Sequence, residues 1–327
     1  MWNIFDKREV PDAVFEREAI EIFAIQAEQN PVYEEFISRI GIKPADVKRL
    51  RDIPFLPVEF FKTHRILTGA VSPEVTFLSS GTGTHGRSKH LIPDIRHYRD
   101  TVRRTFEYFY GDVSNYHILA LLPSYMEQGD SSLIEMVRYL MQISRSEHNG
   151  FYLYNHGELL EKIICLKRDA GRKILLIGVS YALLDFAAYT GETDLSGVIM
   201  METGGMKGRR KELVREELHR RLIEAFHTEM IHSEYGMTEL TSQAYSPGNG
   251  IFRTPPWMKV LIREPEDPFS YLDHGRTGGI NIIDLANRHS CAFIATQDLG
   301  KCYPDGRFEV LGRFDTSDIR GCNLMIG

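Results

Sequence analysis

Ser79-Ser80-Gly81-Thr82-Gly83-Thr84-His85-Gly86-Arg87-Ser88-Lys89 is the stretch on which the reading of this chain turns. It follows an apolar run at 75–78. Glycines let a backbone fold so that several N–H groups converge, and Ser and Thr hydroxyls add donors, which is how a loop cradles phosphate oxygens. Arg87 and Lys89 add positive charge. Residues 81–88 fit G-x-x-x-x-G-R-S, one residue from a Walker A motif. A Walker loop opens a helix at once, because the helix N-terminus holds the phosphates. Here Lys89-His90-Leu91-Ile92-Pro93 follows. Proline suits the first position of a helix and forces the residue before it to be extended. The loop is therefore expected to join two strands. Composition alone leaves open an ordinary flexible hairpin.

Outward from the loop, the first 70 residues read as helices, with Val14, Ala19, Ile22, Phe23 and Ile25 at near-helical spacing. Pro31 and Pro44 open two further short segments, and 54–57 is a proline-rich connector. From 75 the pattern alternates. Strand-like runs at 75–79, 117–122, 151–154, 173–179 and 198–201 are separated by helical stretches near 93–109, 131–143, 158–169 and 209–226. Ser132 and Glu135 suggest a capping box for the second of these helices. Such alternation predicts an α/β protein with a largely parallel sheet. After Thr228 the helices stop. Strands are expected at 258–263, 279–284, 291–296 and 307–311. The expected organisation is a helical segment over 1–70, an α/β body over 71–227 and a β-rich subdomain over 228–327.

The 327 residues are 43% hydrophobic and 26% charged, with a net charge of −6. That excludes a disordered or fibrous chain and gives no field for nucleic acid. Cys165, Cys291, Cys302 and Cys322 have no zinc spacing and no disulfide-rich pattern, which suits a reducing compartment. Cys165, Cys291 and Cys302 read as structural. The N-terminus mixes Asp6, Lys7, Arg8 and Glu9 and is no secretory signal. The apolar stretch 174–188 is broken by Gly178, Ser180 and Asp185 and is too short for a membrane span. A cytoplasmic protein is expected.

Further motifs follow in order. Tyr235-Gly236-Met237-Thr238-Glu239 sets a hydroxyl beside a carboxylate just after a strand-like run at 229–233, a pairing suited to a phosphate and its magnesium. Thr296-Gln297-Asp298-Leu299-Gly300 and Gly312-Arg313-Phe314-Asp315 come later. A lone Asp in a turn is commonly only a turn residue, so order and separation carry the information. His232 and Glu234 precede the first motif; two ligands without a third do not make a metal site, and a place in the pocket lining is expected instead.

With these four motifs the chain resembles the adenylate-forming enzymes, which include acyl- and aryl-CoA ligases. Ser79–Lys89 is similar to their phosphate loop and Tyr235–Glu239 to Y-G-x-T-E. Thr296–Leu299 is similar to T-G-D-L with Gln297 in place of Gly, and Gly312–Asp315 to the hinge G-R-x-D. Within that superfamily the closest resemblance is to LuxE-type acyl-protein synthetases. Leu121-Leu122-Pro123-Ser124-Tyr125-Met126-Glu127 with Ser131-Ser132-Leu133 resembles their L-P-S-Y-L-E-x-x-x-S-S-L. Arg320-Gly321-Cys322-Asn323-Leu324 resembles their R-G-C-x-L end.

The resemblance implies that a carboxylic acid, in this subfamily a fatty acid, is joined to AMP from Mg-ATP and then passed to a thiol. By carry-over, Ser79, Ser80, Gly81, Thr82, Gly83 and Thr84 would hold the phosphates, Thr238 the α-phosphate and Glu239 the magnesium. Tyr235 and Gly236 would stand at the nucleotide, and Gly204 and Gly205 would flank the adenine. Asp298 would accept from the ribose hydroxyls beside Arg313, and Cys322 would carry the acyl group. Relatives continue past the hinge into a small domain with a catalytic lysine. No lysine follows Asp315 in this sequence. The expectation is thus a large-domain-like body lacking that C-terminal small domain, with Lys89, Arg87 or Arg313 in the lysine's place. The acceptor would be a protein thiol, with a reductase, acyltransferase or carrier protein as partner. Three alternatives stay open: coenzyme A as acceptor, a non-catalytic nucleotide-binding subunit, and Cys322 as a small buried hydrophobe. The Arg209-Arg210-Lys211 cluster is a solvated helix start or a carrier-docking patch.

Overall fold

The computed structural model describes residues 7–80, 86–123, 130–168, 171–204 and 213–314. Described strands, in chain order, are β1 (Leu56–Pro57), β2 (Val75–Leu78), β3 (Lys89–Ile92), β4 (Tyr116–Leu121), β5 (Gly150–Tyr152), β6 (Lys173–Gly178) and β7 (Ile199–Glu202). Then come β8 (His232–Tyr235), β9 (Ala244–Ser246), β10 (Ile251–Phe252), β11 (Met258–Arg263), β12 (Gly278–Asp284), β13 (Phe293–Cys302) and β14 (Phe308–Arg313).

The body is a sheet in the order β5-β4-β6-β7-β8-β9. All its pairings are parallel except β8 with β9. The residues of β4 are buried throughout, as are those of β6 after Lys173. Strands covered on both faces become continuous apolar runs, which is why the alternation of β with α was visible in sequence. Helices Ile95–Tyr110, Ser132–Ser144, His156–Lys167, Ser180–Thr190 and Arg215–Phe226 come from the chain between these strands. Among the described residues no helix is long and apolar enough to cross a membrane.

A second sheet, β10-β14-β13-β12-β11, is antiparallel, and β1 adds to β13 in parallel. Helices Asp12–Gln29 and Pro31–Arg39 share its core. Phe15, Phe23 and Tyr33 bury with Trp257, Ile282 and Phe293. Asn30 and Gln26 join the two parts. Asn30 caps the second helix through Tyr33 N–H at 3.2 Å, and its amide donates to Ser290 O at 2.9 Å. Gln26 accepts from Ala292 N–H at 2.9 Å.

Several local expectations change. The helix near 131 starts at Ser132 with Ser131 as N-cap, and no side chain caps it. Glu135 turns instead to Arg99, 2.7 Å away, so the expected capping box does not form. Residues 56–57 of the proline-rich connector pair with Ile294 and Ala295, where a sheet edge tolerates proline. Cys165, expected to be structural, is exposed, whereas Cys291 and Cys302 are buried. Arg209, Arg210 and Lys211 lie outside the described residues.

Candidate active site

A cavity of about 280 Å³ opens at the carboxyl ends of β7 and β8, the position where open α/β sheets bind ligands. Further pieces line it: the β2–β3 hairpin, Gln297 and Asp298 of β13 with Arg313 of β14, Ser132 and Met136 of the helix Ser132–Ser144, Tyr98, and Lys62 from the short helix Phe60–Thr63.

The glycine-rich loop does join two antiparallel strands, with Leu78 opposite Lys89. Ser79 N–H donates to Ser88 O at 3.0 Å, and Ser88 N–H donates to Ser79 Oγ at 2.9 Å. Ser79, Ser80 and Ser88 line the cavity. Arg87 is bound into the hairpin base, its Nε donating to Ser79 O. Lys89 is exposed on β3 and stands outside the cavity wall. Gly81, Thr82, Gly83 and Thr84 fall outside the described residues, as do Gly205 and Cys322.

Tyr235 ends β8, two residues later than the strand expected from sequence. Its hydroxyl donates to Asp298 Oδ2 at 2.7 Å, tying the body to the antiparallel sheet. Burial and the Asp298 charge push the Tyr235 phenol well above its usual range, so it stays a donor. Asp298 lies inside β13 and not in a turn. Leu299 and Gly300 form an irregularity in the β13–β14 register just beyond it. A Cβ on Gly300 would stand 2.3 Å from Glu309 O, so the close approach of the two strands requires glycine. Arg313 is the register partner of Asp298, and its Nε is 3.4 Å from Asp298 Oδ1. The Arg313 side chain is 76% exposed, which screens the attraction. Gln297, where the family pattern has glycine, donates its amide to Glu59.

Met237, Thr238 and Glu239 follow in the cavity wall. Residues that sequence reasoning missed hold them there. His90 Nδ1 stands 2.8 Å from Thr238 O, and its Nε2 3.1 Å from Asn287 Oδ1. Asn287 in turn donates to Glu239 O at 2.8 Å. Burial drives the His90 pKa down to about 4, against the two acceptor oxygens that face its ring nitrogens. Next in the chain, Asp284 accepts from Thr241 N–H and Ser242 N–H, both at 2.9 Å. A buried histidine inside an apolar strand gives no sequence signal of a partner 148 residues away.

Glu239 is buried at the cavity. Burial raises its pKa, opposed by Ser88 and by the charge of Arg313. One carboxylate among Ser and Thr hydroxyls is a hard oxygen donor set. It suits magnesium, which keeps its waters and shares phosphate oxygens, better than a metal needing three protein ligands. Among the described residues no group of three His, Cys, Asp or Glu could hold a metal.

Gly204 follows β7 with φ +72°, a conformation glycine adopts readily. Its N–H donates to Glu202 Oε2 at 2.5 Å, while the neighbouring Thr203 lines the cavity. Burial alone would raise the Glu202 pKa, but His219 and Arg215 bring it down to about 2. Arg215 Nε is 3.3 Å from Glu202 and its Nη1 donates to Val310 O at 2.7 Å, a second tie between the sheets. His232 meets Tyr110 Oη at 3.1 Å, while Glu234 lines the cavity.

This arrangement has the α/β fold of the large domain of adenylate-forming ligases. 2-Hydroxyisobutyryl-CoA ligase, in the open conformation with 2-HIB-AMP and CoA, superposes with a TM-score of 0.64 at 13% identity. The match covers 93% of this chain and 70% of the ligase. The same ligase in its thioesterification state gives 0.66 at 13% identity, over 95% of this chain and 72% of the ligase. ATP-bound MatB from Rhodopseudomonas palustris gives 0.53 at 16% identity, over 73% of this chain and 47% of MatB. At these identities the likeness is one of fold. No protein-family model and no curated protein sequence matches the chain.

Proposed function

We propose that the protein activates a carboxylic acid with Mg-ATP, forming acyl-AMP and pyrophosphate, and then passes the acyl group to a thiol. The observation that carries this reading is a single cavity joining Ser79 and Ser80, the Thr238–Glu239 pair, and Asp298 held by Tyr235. A carboxylate oxygen of the acid attacks the α-phosphorus and pyrophosphate leaves with the broken phosphoanhydride bond. Like charges must be brought together, so positioning and neutralisation dominate. Ser79 and Ser80 donate to phosphate oxygens, and Thr238 stands at the α-phosphate. Glu239 holds magnesium, whose charge offsets that of the phosphates. Asp298 accepts from the two ribose hydroxyls. Lys62, in the cavity wall, is better placed than Lys89 or Arg87 to supply the positive charge.

In the second step a thiolate attacks the acyl carbon and AMP leaves. For the acceptor, the R-G-C-x-L resemblance supports Cys322, with a reductase, acyltransferase or carrier protein as the partner receiving the acyl group. CoA in the 2-hydroxyisobutyryl-CoA ligase complexes supports coenzyme A. One labelling experiment separates them. After incubation with Mg-ATP and labelled acid, hydroxylamine-sensitive label on the protein that disappears in Cys322→Ser assigns the protein thiol. Label that forms only on added coenzyme A assigns the cofactor and overturns the protein-thiol reading.

A further inference from the structure

Glu234 and Tyr235 are neighbours on β8, so their side chains leave opposite faces. Tyr235 packs with the antiparallel sheet and reaches Asp298. Glu234 points to the body side. There it stands opposite Tyr245 in the strand register and senses Tyr98. The cavity lining thus draws on both faces of β8, which define its two sides. Asp298 and Arg313 mark one. Glu234, Gln243, Tyr98, Ser132 and Met136 mark the other.

Hydrogen bonding on this second side is unbalanced. Tyr98 Oη donates to Ser132 O at 3.0 Å, and Tyr245 Oη lies 4.0 Å from Met136 Sδ. Glu234 is 8% exposed and lines the cavity, and burial and the Glu202 charge, with no hydrogen bond, set the environment of its carboxyl group. Gln243 beside it donates its amide to Thr241 O at 3.3 Å, while its Oε1 has no partner. A Cβ on Gly236 would sit 2.3 Å from Glu234 Oε1 and 3.5 Å from Gln243 Cγ, so glycine there makes room for the carboxyl group. Buried polar groups in native proteins are almost always satisfied, so polar groups left without a protein partner in a cavity wall are met by water or by a polar group of a ligand. A saturated acyl chain would cover Glu234 and satisfy nothing.

Resting on the adenylation reading, we propose that Glu234 selects the acid: the substrate carries a hydrogen-bond-donating substituent, a hydroxyl or an ammonium, that Glu234 binds on the side of the cavity opposite Asp298. The class is thus hydroxy- or amino-substituted carboxylic acids and not plain fatty acids. Burial and the charge of Glu202 push the Glu234 pKa up to about 8. A hydroxyl can pair with the protonated group, and an ammonium would draw the proton off and pair with the carboxylate.

The test is ATP–pyrophosphate exchange with C3 to C5 acids bearing hydroxyl or amino groups, their unsubstituted parents, and myristate. At least one substituted acid should exceed its parent in kcat/KM by about 10-fold or more, the scale of one buried polar group left unpaired. Glu234→Leu should abolish that ratio. Glu234→Gln should keep a hydroxyl preference and lose an ammonium preference, which tells the two apart. Highest kcat/KM for myristate or an unsubstituted parent, or a ratio unchanged in Glu234→Leu, overturns the assignment. Exchange with no acid overturns the adenylation reading itself. The assignment is then read from melting temperature, which the substituted acids should raise in the wild type and not in Glu234→Leu. No rise in the wild type overturns it.

Discussion

Asp298 is held from two sides, by a buried phenol at 2.7 Å and by an exposed guanidinium at 3.4 Å. The phenol hydrogen bond orients Oδ2, and the long contact to the exposed Arg313 leaves Oδ1 with lone-pair capacity for a ligand. Asp298→Asn keeps the shape and removes the charge. It should reduce the rise in melting temperature produced by saturating Mg-ATP, a linkage effect of binding to the folded state. An undiminished rise would remove Asp298 from the nucleotide site. Glu234 gives a test with a sign. Its unfolded pKa is near 4.5 and its folded value about 8, so the folded state holds the extra proton between them. The stability linked to that proton is full below about 4.5 and is lost as pH rises through about 8. Glu234→Gln cannot lose it. The variant's melting temperature minus that of the wild type should grow from pH 5 to pH 9, and a constant difference would mean an ionised Glu234. Groups facing it include Glu202 on β7, Tyr245 on β9, and Tyr98 and Tyr110 on helix Ile95–Tyr110.

Among the elements, the β2–β3 hairpin was the most legible, because the strand before the loop and Pro93 after it both constrain the backbone locally. Tyr235 and Asp298 were legible as motif residues. Their contact across 63 residues was not, because it depends on how two sheets meet. The position of Asp298 inside a strand was also hidden, since a run containing Gln, Asp and Gly reads as a turn. Lys62 had no signal: Phe-Phe-Lys-Thr resembles any short amphipathic turn. Asn30 shows how one residue can act locally and at long range. It is an N-cap, which a sequence reader can suspect after Pro31, and also a docking point for Ser290. Asn30→Ala loses both, at a cost of about 2 kcal/mol. The melting temperature should fall by roughly 3 °C, while the Mg-ATP-induced rise persists. A loss of nucleotide binding would show that helix docking shapes the site.

At the scale of the molecule, two cores meet at one cavity. The first surrounds the parallel sheet, and the second joins the N-terminal helices to the antiparallel sheet. The first is legible in sequence because its strands and helices alternate along the chain. The second is built from residues more than 250 positions apart, as in the Gln26 contact with Ala292, and periodicity carries no trace of that pairing. Tyr235 to Asp298 and Arg215 to both Glu202 and Val310 cross the junction and tie Asp298 on one side to Glu234 and its neighbours on the other. That geometry makes acid-dependent ATP–pyrophosphate exchange the most direct measurement of the central claim. The folded protein should exchange label only with Mg-ATP and a suitable acid together. Glu239→Gln should lower the rate by about 10²-fold, the scale of losing one electrostatic stabiliser, with its melting temperature preserved. Absence of exchange across the full acid panel in a protein that still binds Mg-ATP, or exchange undiminished in Glu239→Gln, would contradict it.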